Sequence, residues 1–284
     1  MTAVTDDRRM PGAFSQACDY RPVSSDGPLI ARYGRARRDP ELAVLEGLHP
    51  LKHALRFGAQ IVEAACVDRA RLDELARRLA PDVRPRMLEL AREVSAEVFA
   101  RLAPLPPPTG VIALARRAEV DVAAALADPR AAPVVLLEDP RDLGNMGACV
   151  RVAAAAGAAA VLSTGGHDPW QADALRGGAG LQYALPVARL PAGLPAELED
   201  RPLLALDPEG EPLDPRALPA RAILAFGTER HGLSAQLLAH ADARVAIPMR
   251  PGVSSLNLAT SVAAVLFAWR LCGSGGGGQD AVEQ

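Results

Sequence analysis

Short apolar runs and amphipathic stretches alternate along most of the chain, and this alternation predicts an α/β protein. Continuous apolar runs, which are typical of buried parallel strands, occur in the second half at 133–138, 158–163, 202–206, 222–226 and 244–247. Stretches with helical periodicity separate or follow these runs at 146–156, 169–176, 234–240 and 255–271. We therefore expect a parallel sheet with helices on both faces.

The first half mixes helical and strand periods and predicts a second, smaller α/β unit. We expect helices at 48–57, 71–79 and 85–101, and strands at 60–67 and 111–115. The patterns divide the chain into five parts. These are a flexible N-terminus at 1–28, a small unit at 29–117, a linker at 118–130, a large unit at 131–272 and a disordered glycine-rich tail at 273–284.

The last predicted helix is apolar nearly all round its surface. Its apolar residues are Leu256, Ala259, Val262, Val265, Leu266 and Trp269. A helix of this kind has to be covered on both sides. Either the core of the protein covers it or a partner subunit does.

Composition excludes several classes of protein. Of the 284 residues 49% are apolar and the net charge is −3, which fits a globular protein. Apolar runs stay below the roughly 18 residues of a membrane span, and the N-terminus has no secretory apolar region. Four widely spaced cysteines predict neither a zinc site nor a disulfide framework, so we expect a cytoplasmic protein. His49 and His53 share a helix face without a third ligand, and we expect no metal site.

Charge is distributed unevenly. Residues 1–117 hold 19 basic and 15 acidic residues, whereas the rest of the chain holds 12 and 19. The densest basic run consists of Arg32, Arg35, Arg37 and Arg38. This run either binds phosphate groups of a nucleic acid or is a solvated, flexible segment.

Three segments of the large unit place glycine and polar residues directly after an apolar run. Their residues are Asn145, Gly147 and Arg151; Gly227, Glu229 and Gly232; and Ile247, Pro248, Ser255, Leu256 and Asn257. The carboxyl ends of parallel strands meet at one edge of a sheet, where α/β proteins build ligand sites. The sequence therefore predicts one pocket assembled from three loops.

Each polar residue of these segments has two interpretations. Asn145 and Ser255 are candidate helix caps, and Asn257 needs a bonding partner at the start of an apolar helix. The guanidinium of Arg151 either holds a phosphate or developing negative charge, or forms a structural ion pair. Glu229 lies in a tight loop, where it belongs to the pocket or caps the next helix. The sequence lacks the glycine motif of dinucleotide-binding folds, the P-loop lysine and the nucleophile elbow.

The three segments resemble the motifs of the SpoU–TrmH group of RNA ribose 2′-O-methyltransferases, in the SPOUT superfamily. The matching patterns are Asn-x-Gly-x-x-x-Arg, Gly-x-Glu-x-x-Gly and Ile-Pro-Met followed by Ser-Leu-Asn. The resemblance covers about 131–271 well and is fainter over 40–117. It implies a parallel α/β fold with a C-terminal trefoil knot, a small N-terminal RNA-binding domain and a homodimer.

The resemblance also implies the cofactor S-adenosylmethionine, bound by Gly227, Ile247 and Leu256, and transfer of its methyl group to a ribose 2′-hydroxyl. Arg151 would anchor RNA phosphate and stabilise alkoxide charge, because arginine stays protonated and is a poor base. Asn145, Glu229, Ser255 and Asn257 would orient the ribose and the loops. Ribosomal RNA is favoured over transfer RNA. The alternatives are a non-catalytic knotted RNA-binding protein and a small-molecule enzyme that uses another nucleotide.

Overall fold

The computed structural model describes residues 27–191, 193, 198, 200–228 and 231–273. Most of the predicted flexible N-terminus and nearly all of the predicted tail lie outside these residues. The predicted boundary at residue 28 falls within a helix, because α1 spans Gly27–Ala36. The described residues form two sheets, one of four strands and one of six.

The four-stranded sheet belongs to the first part of the chain. Its strands are β1 Leu42–Glu46, β2 Ile61–Cys66, β3 Ala91–Glu93 and β4 Val111–Arg116. Helices α2 Leu48–Arg56, α3 Arg69–Leu79 and α4 Arg84–Leu90 pack on one face, and α1 and α5 Ala96–Ala100 pack on the other. The strand order is β1-β4-β2-β3, with antiparallel pairs except for the parallel pair of β2 and β3.

The predicted helix over 85–101 is wrong, because strand β3 divides it. Ala91 pairs with Ala64 of β2, so three residues of helical periodicity instead complete the edge of the sheet. Ser95 then caps α5 by accepting a hydrogen bond from the amide of Val98 at 3.3 Å. This tertiary pairing overrides the local helical preference.

The predicted linker contains a helix that packs onto the larger sheet. Helix α6 spans Val122–Ala127 and is capped by Asp121. The buried guanidinium of Arg201 donates hydrogen bonds to the carbonyl oxygens of Leu126 at 2.6 Å and Ala132 at 2.9 Å. These bonds attach the connecting segment to the larger unit.

The six-stranded sheet is parallel throughout and confirms the predicted α/β architecture. Its order is β10-β8-β9-β5-β6-β7. Its strands are β5 Val134–Leu137, β6 Ala160–Ser163, β7 Val187–Arg189, β8 Leu203–Pro212, β9 Ile223–Phe226 and β10 Ala243–Ala246. Helices α7 Leu143–Ala156, α8 Ala172–Gly177 and α10 Leu258–Gly273 cover one face, and α6 and α9 Ala235–His240 cover the other. Both faces are therefore apolar, as the continuous hydrophobic runs predict.

The two units share one buried core. Leu48 and Leu51 of α2 lie in the same cluster of apolar side chains as Met146 and Val150 of α7. At the boundary, Arg176 donates to the buried carboxylate of Glu46 at 2.7 Å. The small unit is thus packed against the parallel sheet through both apolar and ionic contacts.

Among the described residues, no helix is both long and apolar enough to cross a membrane.

Candidate active site

A cavity of about 350 Å³ opens at the carboxyl ends of β8, β9 and β10, next to the start of α10. Three residues predicted to hold a cofactor, Gly227, Ile247 and Leu256, line this one cavity together with Ser255. The other lining residues are Leu206, Asp207, Pro208, Phe226, Thr228, Gly232, Val245, Met249, Ser254, Leu258 and Ser261. The cavity has the size and mainly apolar character of a small-molecule site.

The loop after β9 forms one wall of the cavity. The backbones of Thr228 and Gly232 exchange two hydrogen bonds of 3.0 Å, which close a tight turn. A Cβ atom at Gly227 would overlap the carbonyl group of Gly232, so only glycine fits. Glu229, predicted as a site residue in this turn, lies outside the described residues.

Asn145 and Asn257 meet although 112 residues separate them. The amide nitrogen of Asn257 donates to the side-chain oxygen of Asn145 at 3.1 Å. The prediction that Asn145 caps its helix is wrong, because α7 begins earlier and Asp142 accepts the backbone amide of Asn145 at 2.7 Å. The side chain of Asn145 instead joins the first predicted segment to the third.

The last helix begins at Leu258, three residues later than predicted. Ser255 therefore does not cap α10 and lines the cavity instead. The side-chain oxygen of Asn257 accepts hydrogen bonds from the amides of Ala259 at 2.9 Å and Thr260 at 3.3 Å. Asn257 thus caps α10 while its nitrogen holds Asn145.

Arg151 lies on the exposed side of α7 and is not a lining residue of the cavity. It stands near His49 and Lys52 of the small unit. Burial lowers the pKa of both of these side chains, and the charge of Arg151 lowers each pKa further. Within the described part of the chain, Arg151 has no carboxylate partner, so the alternative interpretation as a structural ion pair is not supported there.

Two carboxylates at the carboxyl edge of the sheet were not predicted as site residues, and one of them lines the cavity. Asp207 lies at the bend of β8 and is the only ionisable side chain among the described residues that line the cavity. Glu138 follows β5 and accepts hydrogen bonds from the amide and the hydroxyl of Ser234, both at 2.6 Å. A carboxylate placed directly after a buried strand is the signal that could have identified Glu138.

The predicted RNA-binding arginines have different environments. Arg37 is half-buried and donates to Glu46 at 2.7 Å and to the carbonyl of Leu102 at 2.9 Å, so its contacts are structural. Arg32 pairs with Glu63 at 3.1 Å. Arg35 and Arg38 are exposed. The structure therefore does not bring the four arginines together as one free surface.

A parallel α/β sheet with a loop-built cavity at its carboxyl edge is typical of α/β proteins that bind a small molecule. Residues 132–267 match the SpoU rRNA Methylase family. The resemblance predicted from the three segments is thus confirmed.

Curated relatives carry methyltransferase names. The chain is 38% identical over 170 residues to an uncharacterized tRNA/rRNA methyltransferase of Mycobacterium bovis, covering 56% of this chain and 58% of that protein. It is 30% identical over 190 residues to the mouse mitochondrial rRNA methyltransferase 3, covering 48% and 46%. The chain thus spans little more than half the length of the curated relatives it matches first.

Solved structures share the fold over most of the chain. The SpoU methyltransferase AviRb from Streptomyces viridochromogenes, solved with the cofactor AdoMet, has a TM-score of 0.70 at 21% identity. That match covers 87% of this chain and 99% of the other. A structure described as an RNA 2′-O ribose methyltransferase has a TM-score of 0.68 at 28% identity, covering 87% and 97%.

Proposed function

We propose that this protein is an S-adenosylmethionine-dependent methyltransferase that methylates a ribose 2′-hydroxyl of structured RNA. The observation that carries the proposal is the convergence of Gly227, Ile247 and Leu256 on one cavity, with Asn145 and Asn257 bonded beside it. The match of residues 132–267 to the family and the names of the relatives support the same activity.

The residues of the cavity fit S-adenosylmethionine. A turn closed against Gly227 presents backbone groups to the cavity, and apolar side chains such as Ile247 and Leu256 suit a flat heterocycle. Hydroxyl groups of Thr228 and Ser255 add hydrogen-bonding capacity. The carboxylate of Asp207 suits a ligand with hydroxyl groups or positive charge. When bound, this cofactor supplies a methyl group already activated by a sulfonium.

The protein residues have to position the acceptor and stabilise charge. Arg151 is proposed to anchor an RNA phosphate and to stabilise the negative charge that develops on the ribose oxygen. A guanidinium stays protonated, so it does not act as the base. Asn145, Ser255 and Asn257 are proposed to hold the ribose and the loops in register. For Glu229 we propose the same positioning role, and this proposal rests on the sequence alone.

The proposal extends to the substrate and the assembly. We favour ribosomal RNA over transfer RNA, a cytoplasmic location and an N-terminal RNA-binding domain over 29–117. We also propose the trefoil knot and a homodimer. The dimer is supported by Phe267 and Leu271 of α10, which are 39% and 75% exposed although Val262 and Leu266 of the same helix are buried.

Cofactor titration tests the cavity. Leu256→Asp places a charge in the apolar wall and should weaken binding of S-adenosylhomocysteine at least about tenfold in calorimetry. Val253→Asp is the matched control, since Val253 is exposed in the same loop and is not a lining residue. Equal affinity in the two variants would contradict the assignment.

Two further measurements separate the alternatives. Thermal-shift screening against S-adenosylmethionine, NAD and ATP identifies the nucleotide, and stabilisation by NAD or ATP alone would contradict the proposal. Binding of RNA without transfer of labelled methyl would instead indicate a non-catalytic RNA-binding protein.

A further inference from the structure

Helix α2 carries a stripe of basic residues. His49, Lys52, His53 and Arg56 recur at intervals of three and four residues and therefore share one side of the helix. Leu48, Leu51 and Ala54 are buried on the other side. Since the apolar side packs in the core, the basic stripe lies at the surface of the small unit.

Contacts with the parallel-sheet unit fix the position of α2. Nδ1 of His53 lies 2.7 Å from the carbonyl oxygen of Ala179. At Gly180, which has a φ of +76°, a Cβ atom would lie 2.5 Å from the carbonyl oxygen of Pro50. The backbones are therefore in direct contact, and α2 cannot shift along this boundary without losing it.

Arg151 is exposed and lies on the same side of α7 as Gly147. Gly147 precedes it by one helical turn, and the backbone of Gly147 packs directly against Ala174 of α8. Helices α2 and α7 both contact the short 3-10 turn Leu181–Tyr183 that follows α8. This arrangement brings Arg151 near His49 and Lys52. Burial lowers the pKa of both side chains, and the positive charge of Arg151 lowers each pKa further.

The cations of this cluster are not all neutralised. Arg56 makes two hydrogen bonds to Asp82, at 2.6 and 2.7 Å, and Asp82 also acts on Lys52. Within the described residues, however, His49, Lys52 and Arg151 have no ion pair or hydrogen bond to a carboxylate. Lys52 and Arg151 thus bring like charges together without a bonded carboxylate, which destabilises a fold unless a ligand supplies negative charge.

We infer that His49, Lys52 and Arg151 form one composite binding site for the sugar–phosphate backbone of the RNA substrate. This inference rests on the proposed function and places the RNA across both units. An ammonium suits phosphate as a compact charge, a guanidinium can bind two phosphate oxygens, and an imidazole N–H can donate to another. Such a site contacts phosphate groups and not base edges, so it would position the RNA without selecting its sequence.

Filter binding of unmodified total ribosomal RNA to the full chain tests the site. Lys52→Ala should weaken binding about fivefold and reduce the slope of log Kd against log salt by about 0.7, as expected for one lost phosphate contact. Lys52→Glu should weaken it further, and Lys52→Arg should restore it. The matched control, called the α1 double variant, combines Arg35→Ala in α1 with Arg38→Ala in the loop after it, and it should stay within about twofold of the parent.

Chemical footprinting gives an independent test, because Lys52 is the only lysine of the chain. Acetylation of its amine, followed by mass spectrometry, should slow about fivefold or more when ribosomal RNA is added. An unchanged rate, or RNA binding that is lost in the α1 double variant and kept in Lys52→Glu, would overturn the inference. Failure of the parent protein to bind ribosomal RNA at all would instead count against the proposed function.

Discussion

Helices α1 and α2 lie on opposite faces of the same four-stranded sheet, and each is associated with four basic residues. The arginines of α1 and the loop after it form the densest basic run of the sequence. Two of them are engaged, since Arg37 bonds to Glu46 and Arg32 pairs with Glu63. On α2, by contrast, Lys52 and His49 have no carboxylate partner in the described part of the chain, and they lie near Arg151.

The difference shows that a count of basic residues does not locate a nucleic-acid surface. What matters is whether carboxylates of the fold already neutralise the charge and which unit the helix faces. Helix α1 packs on β1, whereas α2 contacts the parallel-sheet unit that carries the cavity. The experiments below test this contrast, from the largest expected effect to the smallest.

Arg151→Ala should have the largest effect, because Arg151 is proposed both to bind RNA phosphate beside α2 and to stabilise charge on the ribose oxygen. Loss of a preorganised positive charge is expected to lower methyl transfer to ribosomal RNA about 10³-fold, whereas cofactor affinity stays within about twofold. Labelled-methyl transfer and calorimetry measure the two quantities. Arg216→Ala, which removes an exposed arginine of the segment between β8 and β9, should leave both unchanged. Equal loss of transfer and cofactor binding would mean that Arg151 is structural.

Gly180→Ala should detach α2 from the parallel-sheet unit. The added methyl group meets the backbone of Pro50 and also forces a left-handed conformation, which together cost about 3 kcal/mol of unfolding free energy. Gly58→Ala is the matched control, because Gly58 has the same φ of +76° with open space around it, and should cost about 1 kcal/mol. Urea unfolding compares the variants. Similar costs would show that the contact with α2 is not tight.

Arg37→Ala tests whether the α1 side is structural. The substitution removes two hydrogen bonds, one of them to the buried carboxylate of Glu46, and should lower the free energy of unfolding by about 2 kcal/mol. Arg35→Ala on the exposed side of α1 should change it by less than about 0.5 kcal/mol. A loss of RNA affinity in Arg37→Ala without a loss of stability would reverse the comparison.

The smallest effect concerns Asp82, the carboxylate that neutralises Arg56. The hydrogen bonds from Arg56 lower the pKa of Asp82 to about 2, below its ordinary value of 3.8. Stability from this pair is therefore fully present above about pH 4 and is lost as the pH falls towards 2. Because the Asp82 side chain is 48% exposed, the contribution should be only about 0.5 kcal/mol. The difference in unfolding free energy between the parent and Asp82→Asn should shrink as the pH falls from 5 to 3. A difference that does not change with pH would show that the ion pair of Asp82 with Arg56 does not cause it.

The sequence predicted five of the six strands of the parallel sheet, but it missed β7 and also β1 of the smaller sheet. Continuous apolar runs predict the strands around Val135, Leu162 and Leu224 because a parallel sheet is buried on both faces. The same patterns failed over 85–101, where strand pairing interrupts a helical period. The start of the last helix was also predicted too early, since Asn257 and not a serine caps it.

The features of the site that the sequence did not predict depend on contacts between distant segments of the chain. The bond between Asn145 and Asn257 joins the starts of two helices whose adjacency depends on the order of the strands. Asp207 lines the cavity from the stretch of β8 that has no partner in β10, because the register shifts between Arg244 and Val245. Such a shift leaves no mark in local hydrophobic periodicity.

The most direct test of the central claim is the chemical identity of the methylated product. The full chain is incubated with labelled S-adenosylmethionine and unmodified ribosomal RNA, and the RNA is then digested to nucleosides. We predict that the label is recovered in a single 2′-O-methylnucleoside and disappears with Arg151→Ala. Label in a base-methylated nucleoside, or its absence from RNA despite cofactor binding, would contradict the account.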